Sequence, residues 1–207
     1  MYNPQLVVAV DGQAGSGKSS VSRRLAGELG VPFLNTGVFF RLAALIMART
    51  GCTVDGLAVE FAAHEIGVDG DSGILDGVRV EEELRSLSVA GLLPKVAADP
   101  QLRAAILVLE RRWVAAAGSA VVEGRDIGTV VLPDAWPKFY LVARDDVRVS
   151  RRPEEGRKLL ARDRHDMERE AAPLQAAEDA IVIDTSDMGV REVVKRMLLV
   201  IEAPGRG

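Results

Sequence analysis

Leu6-Val7-Val8-Ala9-Val10-Asp11-Gly12-Gln13-Ala14-Gly15-Ser16-Gly17-Lys18-Ser19-Ser20 is the stretch whose reading decides the fold. It opens on an unbroken apolar run, Leu6 to Val10, the pattern of a strand buried on both faces of a parallel sheet. Gly12 to Ser19 then satisfies the phosphate-loop pattern G-x-x-x-x-G-K-[ST] in full. Glycines at these points let backbone N–H groups converge on a polyphosphate, and the helix that follows aims its positive end at the same anion. That helix is predicted from Val21, Leu25 and Leu29 on one face with Arg23, Arg24 and Glu28 elsewhere, and Gly30 as its stop. Gly12, Gln13, Ala14, Gly15, Ser16, Gly17, Lys18, Ser19 and Ser20 are therefore expected to cradle the phosphates of a nucleotide. Lys18 should reach the β/γ-phosphates and the Ser19 hydroxyl should take Mg²⁺. Such a loop serves kinases, GTPases and motor ATPases alike, so the rest of the chain must decide the chemistry.

Working outward, Pro32-Phe33-Leu34, Ala120-Val121-Val122, Lys138-Phe139-Tyr140-Leu141-Val142 and Ala180-Ile181-Val182-Ile183 read as further short buried strands. Between them, Val38 to Arg49 reads as a helix, and Asp99-Pro100 opens another, with Asp99 as N-cap and Leu102, Ile106, Leu109 and Trp113 as its apolar stripe. Residues 144–169 are arginine-rich and predicted helical on both sides of a turn at Pro153-Glu154-Glu155-Gly156, and Val190 to Ile201 is a closing helix. Strands alternating with helices imply a three-layer α/β/α fold around a five-stranded, mainly parallel sheet. Segment 51–95 is less regular. Turn signals at Gly67 to Gly73 and at Asp76-Gly77 suggest a hairpin within an inserted subdomain.

The 207 residues, 48% of them hydrophobic, suit one domain with a well-buried core. A net charge of -4 argues against a duplex nucleic-acid partner, and the acids interleaved through 144–169 argue against a basic patch there. No apolar run approaches the ~20 residues of a membrane span. Met1 to Leu6 lacks the basic, then apolar, character of a signal peptide. Cys52 is the single cysteine, expected as a small buried hydrophobe in a reducing compartment, which points to the cytoplasm. His64 and His165 lack companion ligands and are not read as a zinc site.

Moving a phosphoryl group between two nucleotides concentrates negative charge, so cations must hold both partners in line. Arg41, Arg103, Arg125, Arg151, Arg152, Arg162 and Arg169 are the candidates. Two of their settings, Asn35-Thr36-Gly37-Val38-Phe39-Phe40-Arg41 and Glu123-Gly124-Arg125-Asp126-Ile127-Gly128-Thr129-Val130-Val131, follow strands, where α/β folds place ligands.

These segments, with Arg162-Asp163-Arg164-His165-Asp166, Arg169 and Ala172-Pro173-Leu174, run in the order seen in bacterial cytidylate kinases, which the chain resembles from Val8 to its last helix. The resemblance implies ATP-dependent, Mg²⁺-requiring phosphorylation of CMP or dCMP by a monomeric enzyme. It also implies one kinase domain with its core at 1–50, 96–150 and 170–207, an acceptor-binding insertion at about 51–95, and a short lid at about 151–161. By matching position, Thr36 belongs to the acceptor segment, Arg41 and Arg125 grip the acceptor phosphate, Asp126 and Arg103 face the cytosine, and Arg162 and Asp166 face the sugar. Arg169 approaches the phosphates as the site closes, and Arg151 and Arg152 begin a lid that brings charge to the donor. Lys18, Arg125, Arg151, Arg152 and Arg169 are thus the expected catalytic cations. Asp11 and Glu123 either hold Mg²⁺ through water or serve the fold alone.

The chain departs from that family pattern in several places. Asn35 and Phe40 stand where an aspartate and a tyrosine are usual, and Pro94, nine residues before Arg103, stands where a serine contacts the base. The stretch from Arg152 to Arg162 is shortened, with Arg157 or Lys158 expected to replace the missing lid charge on the ATP side. Loss of the serine donor keeps a second reading open, a kinase of another small acceptor such as UMP. A third is a nucleotide-binding module without turnover.

Overall fold

A computed structural model describes residues 6–156, 158–169 and 172–203. In chain order its elements begin β1 (Val7–Gly12), α1 (Lys18–Leu29), β2 (Phe33–Asn35), α2 (Gly37–Thr50), α3 (Val54–Ala62), β3 (Ile66–Asp69), β4 (Ser72–Leu75) and β5 (Val78–Arg79). They continue α4 (Glu81–Leu84), α5 (Leu87–Ala98), α6 (Pro100–Ala117), β6 (Ala120–Glu123), β7 (Lys138–Val142), α7 (Asp145–Arg151), α8 (Lys158–Met167), β8 (Ile181–Asp184) and α9 (Val190–Ile201). Every strand expected from an apolar run is present. They form a five-stranded parallel sheet in the order β2-β6-β1-β7-β8 with helices on both sides, the layered architecture expected. Among the described residues no single helix is long and apolar enough to cross a membrane.

The chain divides into two compact units, one of residues up to Phe33 with those from Ala117 onward, the other Leu34–Ala116. In the first, alternate strand residues Val8, Val10, Val121, Phe139, Leu141 and Ile183 point to one face. Val21, Leu25 and Ala26 of α1 and Val193, Val194 and Met197 of α9 cover that face. Removing such side chains from water contributes roughly 1.5–3 kcal/mol each, which makes this layer the rigid base on which the loop after β1 is built. Gly12 ends β1 with φ 138°, and a Cβ there would lie 2.1 Å from the Leu141 carbonyl oxygen, so only glycine lets the loop leave the sheet at this point.

The second unit is wider than the 51–95 insertion expected, because the apolar side of α2 packs on α5, α3 and β4 and so draws 34–50 into it. The hairpin is there: β3, β4 and β5 form an antiparallel meander with Ile66 opposite Leu75 and Asp69 opposite Ser72. The irregular pieces around it are helices, α3 and α5. Gly56, Gly91 and Pro94 punctuate these in sequence, and they are tolerated because Gly91 and Pro94 sit on the exposed side of α5 while Val89, Leu93 and Val96 are buried. Asp99 caps α6 as expected, its carboxylate accepting the Leu102 N–H at 2.6 Å. The buried stripe of α6 is Leu102, Ile106, Glu110 and Val114, whereas Leu109 and Trp113 are only half-buried. Trp113 is held by its indole N–H, which donates to the Val68 carbonyl at 3.1 Å. Cys52 is half-buried rather than a core residue.

Candidate active site

The loop between β1 and α1 is shaped from several directions. The Thr185 hydroxyl, just past β8, lies 2.8 Å from the Ser16 carbonyl and 3.1 Å from that of Val142. Gly15 has φ 75°, and a Cβ there would come within 2.9 Å of the Arg148 carbonyl oxygen, so α7 runs against the loop backbone. Lys18 turns its ammonium onto the Gln13 carbonyl at 2.8 Å. Burial, reinforced by the Arg125 guanidinium, pushes that ammonium down to about 7, although Glu123, Asp163 and Asp11 draw it the other way.

Asp11, at the end of β1, accepts the N–H groups of Ile127 and Gly128 at 2.8 and 2.7 Å. These bonds fasten the π-helical turn Ile127–Val131, which begins directly after Asp126, to the central strand. Burial pushes the Asp11 carboxyl up to about 6 against the pull of those two N–H groups. Glu123 and Asp126, on the segment that leads into this turn, are buried too.

Arg125 stands on the loop. Its Nη1 donates to the Gly12 carbonyl at 3.2 Å and to Asp163 Oδ1 at 2.6 Å, and its Nε lies 3.5 Å from Asp166. Asp166 also forms an ion pair with Arg169 Nη2 at 3.4 Å, so Arg125, Asp166 and Arg169 lie together. Arg162 lies half-buried on the same helix, α8. Arg151 is committed to Thr185, through the hydroxyl at 3.0 Å and the carbonyl at 2.6 Å, and reaches the Gly15 carbonyl at 3.4 Å. Arg152 pairs with Glu154 at 2.9 Å and with Glu155 in the turn. Arg157, expected on the ATP side, lies outside the described residues.

Thr36, Arg41 and Arg103 belong to the second unit. Thr36 is buried at the start of α2, and Arg41 donates to the Leu84 carbonyl at 3.1 Å. Arg103 donates to the Ala97 carbonyl at 3.1 Å, with its guanidinium 5.4 Å from the centre of the Phe40 ring. Asn35 shapes the entry to α2 locally. Its amide donates to Asp71 at 2.9 Å and its side-chain oxygen accepts the Gly37 N–H at 3.1 Å.

Three residues that shape this region were given no role from the sequence: Arg148, Thr185, and Asp163, which lies inside the stretch Arg162 to Asp166. Arg148 and Asp163 read in sequence as members of a mixed, solvated charge run. Only the approach of α7 and α8 to the loop buries them, each to 2% exposure.

A phosphate loop at the carboxyl end of the central strand, with guanidinium groups closing on it from later segments, is the architecture of a P-loop kinase. A solved shikimate kinase from Bacteroides thetaiotaomicron shares the fold with TM-score 0.52 at 13% identity, over 96% of this chain and 99% of that one. The chain belongs to the cytidylate kinase family, whose family model matches residues 8–203. It is 42% identical over 221 residues to the cytidylate kinase of Rhodococcus opacus strain B4, covering 97% of this chain and 96% of the relative. To that of Mycobacterium leprae strain Br4923 it is 39% identical over 209 residues, covering 93% and 94%.

Proposed function

We propose that this protein transfers the γ-phosphoryl group of ATP to CMP or dCMP, yielding ADP and CDP or dCDP. Family membership over residues 8–203 supports the acceptor class. The single structural observation that supports the chemistry is the bond from Arg125 to the Gly12 carbonyl, at 3.2 Å, since Arg125 is the cation read here as gripping the acceptor phosphate.

In this reading the ATP phosphates lie along the loop from Gly12 to Ser20, whose Gln13 and Ala14 N–H groups are already bonded to the Leu141 carbonyl and to Asp163. Lys18 leaves its own loop carbonyl for the β/γ-phosphates, and its charge is restored by them. The acceptor phosphate is held by Arg125 on the first unit, where Asp126, Arg162 and Asp166 serve the nucleoside and Arg169 the phosphates. By family resemblance Thr36, Arg41 and Arg103 also serve the acceptor. The acceptor oxygen attacks the γ-phosphorus as the bond to the β-bridging oxygen breaks, so positioning and charge carry the step and little is asked of a general base. Arg151 and Arg152 mark the start of the short lid at about 151–161.

Among the described residues no group of three His, Cys, Asp or Glu side chains could hold a metal by itself. Mg²⁺ carried in on the nucleotide would keep several waters and need few protein ligands. Ser19 would be its direct ligand and Glu123 a partner through water. Both oxygens of Asp11 are already bonded to main-chain N–H groups, which favours the fold-serving role for that carboxylate. Bound there, Mg²⁺ would neutralise phosphate charge. We also place the enzyme in the cytoplasm as a monomer.

The test is ADP release from ATP and Mg²⁺ with CMP, dCMP, UMP, AMP or no acceptor in parallel. Turnover confined to CMP and dCMP is the expected result, with the exposed Pro94 tolerated. Equal turnover of UMP would overturn the base assignment, and none with any acceptor would leave a binding module.

A further inference from the structure

Asp163 has no part in the mechanism above, yet its buried carboxylate receives donors from three separate parts of the chain. The Ala14 N–H lies 3.2 Å from Oδ1 and 3.0 Å from Oδ2. Arg125 Nη1 donates to Oδ1 at 2.6 Å, and Arg148 Nη2 donates to Oδ2. Arg148 in turn donates through Nε to the Ala14 carbonyl at 2.8 Å and through Nη1 to Asp145 at 2.8 Å. The Ala14 backbone is thus held at both its N–H and its C=O, in two successive peptide groups, by two side chains that are bonded to each other.

Without Asp163, two guanidinium groups would face the same loop with no carboxylate between them, and buried like charges repel strongly where water cannot screen them. With it, one carboxylate sets both the height of the loop at Ala14 and the position of Arg125 above Gly12. Transfer between two bound phosphates is sensitive to such registration: a 1 Å misplacement can cost on the order of 100-fold in rate.

We infer that Asp163 is a positioning residue for phosphoryl transfer. It acts through Arg125 and the Ala14 backbone to keep the acceptor-side cation in register with the donor loop, and Arg148 holds it there. The inference rests on the reading of the chain as a CMP kinase. A carboxylate that served the fold alone would lower the folded fraction while leaving the turnover of each folded molecule unchanged.

The experiment compares the full chain with Asp163→Asn, Asp163→Glu, Arg125→Lys and the double variant Asp163→Asn/Arg125→Lys, each checked for cooperative thermal unfolding. With ATP, Mg²⁺ and CMP, Asp163→Asn is expected to lower kcat by about 100-fold with KM for ATP within about threefold. Asp163→Glu, which keeps the charge but moves it by one methylene, should recover only part of the loss. Because Asp163 acts through Arg125, adding Asp163→Asn to Arg125→Lys should cost less than about fivefold more. If Asp163→Asn does not fold, the kcat of Asp163→Glu decides: a loss of about tenfold or more supports the role, and wild-type turnover refutes it. A folded Asp163→Asn with kcat within twofold of wild type, or losses that multiply in full, would refute it equally. A wild-type chain without CMP-dependent turnover sinks the underlying reading and this inference with it. That outcome is distinct, since it is seen before any variant is compared.

Discussion

Asp11 Oδ2 accepts the backbone N–H of Gly128 at 2.7 Å across 117 residues of sequence. With the Ile127 N–H on its other oxygen, at 2.8 Å, Asp11 staples the segment that bears Arg125 and Asp126 to the end of the central strand. Its carboxyl is buried and pushed up to about 6 from 3.8. A carboxyl raised in the folded state contributes stability that is present below the unfolded value and lost as pH rises through the folded one. In Asp11→Asn, one main-chain donor meets an amide N–H instead of an oxygen. That variant should cost about 1–3 kcal/mol at pH 7. Urea unfolding should then show the gap widening by about 2–3 kcal/mol at pH 4, where the wild-type carboxyl has taken up its proton. A gap that narrows on acidification would contradict this account.

Lys18 offers a proton-linked signature of nucleotide binding. Its ammonium is held down to about 7 in the free protein, so at pH 8 the side chain is largely neutral until a polyphosphate favours its charge. Calorimetry in buffers of differing ionisation enthalpy should show uptake of close to one proton on ATP binding at pH 8. Lys18→Arg, charged throughout, should bind without that uptake. Equal proton uptake by both proteins would remove Lys18 as its source.

Glycine substitutions should separate two kinds of crowding. At Gly12, φ 138° and a Cβ placed 2.1 Å from the Leu141 carbonyl oxygen leave no rotamer that could relieve the clash. Gly12→Ala is expected to lose more than about 4 kcal/mol or fail to fold, as backbone strain and overlap add. At Gly128, where φ is ordinary, a Cβ would meet the Lys138 Cδ at 3.0 Å, the flexible stem of a side chain. Gly128→Ala should cost about 1–3 kcal/mol, since a methyl must be forced into a filled site. Chemical denaturation of the two variants gives the comparison, and similar losses would count against the distinction.

The Phe40 ring beneath Arg103 explains how the family's usual tyrosine can be replaced here. The ring face 5.4 Å from the guanidinium is what Arg103 uses, and a phenol would offer it equally. Phe40→Tyr should therefore leave KM for CMP within about twofold. Phe40→Leu, which removes the ring, should raise it by about three- to fivefold, corresponding to roughly 0.5–1 kcal/mol. A Phe40→Leu protein with unchanged KM would show that the ring does not orient Arg103.

The parts of this structure legible in sequence were those whose cause is local. An apolar run of residues, a glycine pattern and a helix stripe specify β1, the phosphate loop and α1 without help from elsewhere, and the remaining sheet strands follow by the same logic. α3 and α5 were obscured because their glycines and Pro94 read as breaks. What made them helical was burial of one face, Leu57 and Phe61 in α3 and Val89, Leu93 and Val96 in α5, a tertiary effect. The width of the second unit was hidden for the same reason, since only packing joins α2 to α5. Within the site, Arg125, Asp166 and Arg169 were named from a motif and do lie together. Arg148 and Asp163 were given no role, although Asp163 lies in the quoted stretch Arg162 to Asp166, because a charged residue on a helix declares its surroundings only after the helix has docked. Arg152 pairs with Glu154 and Glu155, which the sequence did not reveal because the pairing depends on the turn between α7 and α8.

The grip on the Ala14 backbone has one more consequence. The bonds that hold its carbonyl and N–H come from residues 134 and 149 positions further along the chain. The eight-residue pattern is therefore not a portable part: moved into another scaffold without counterparts of Arg148 and Asp163, it would carry the letters of the loop but not its shape. The instructions for that shape are written mostly outside the eight-residue pattern, in α7 and α8. Drift in α7 and α8 can therefore retune the nucleotide cradle while the motif itself stays letter-perfect.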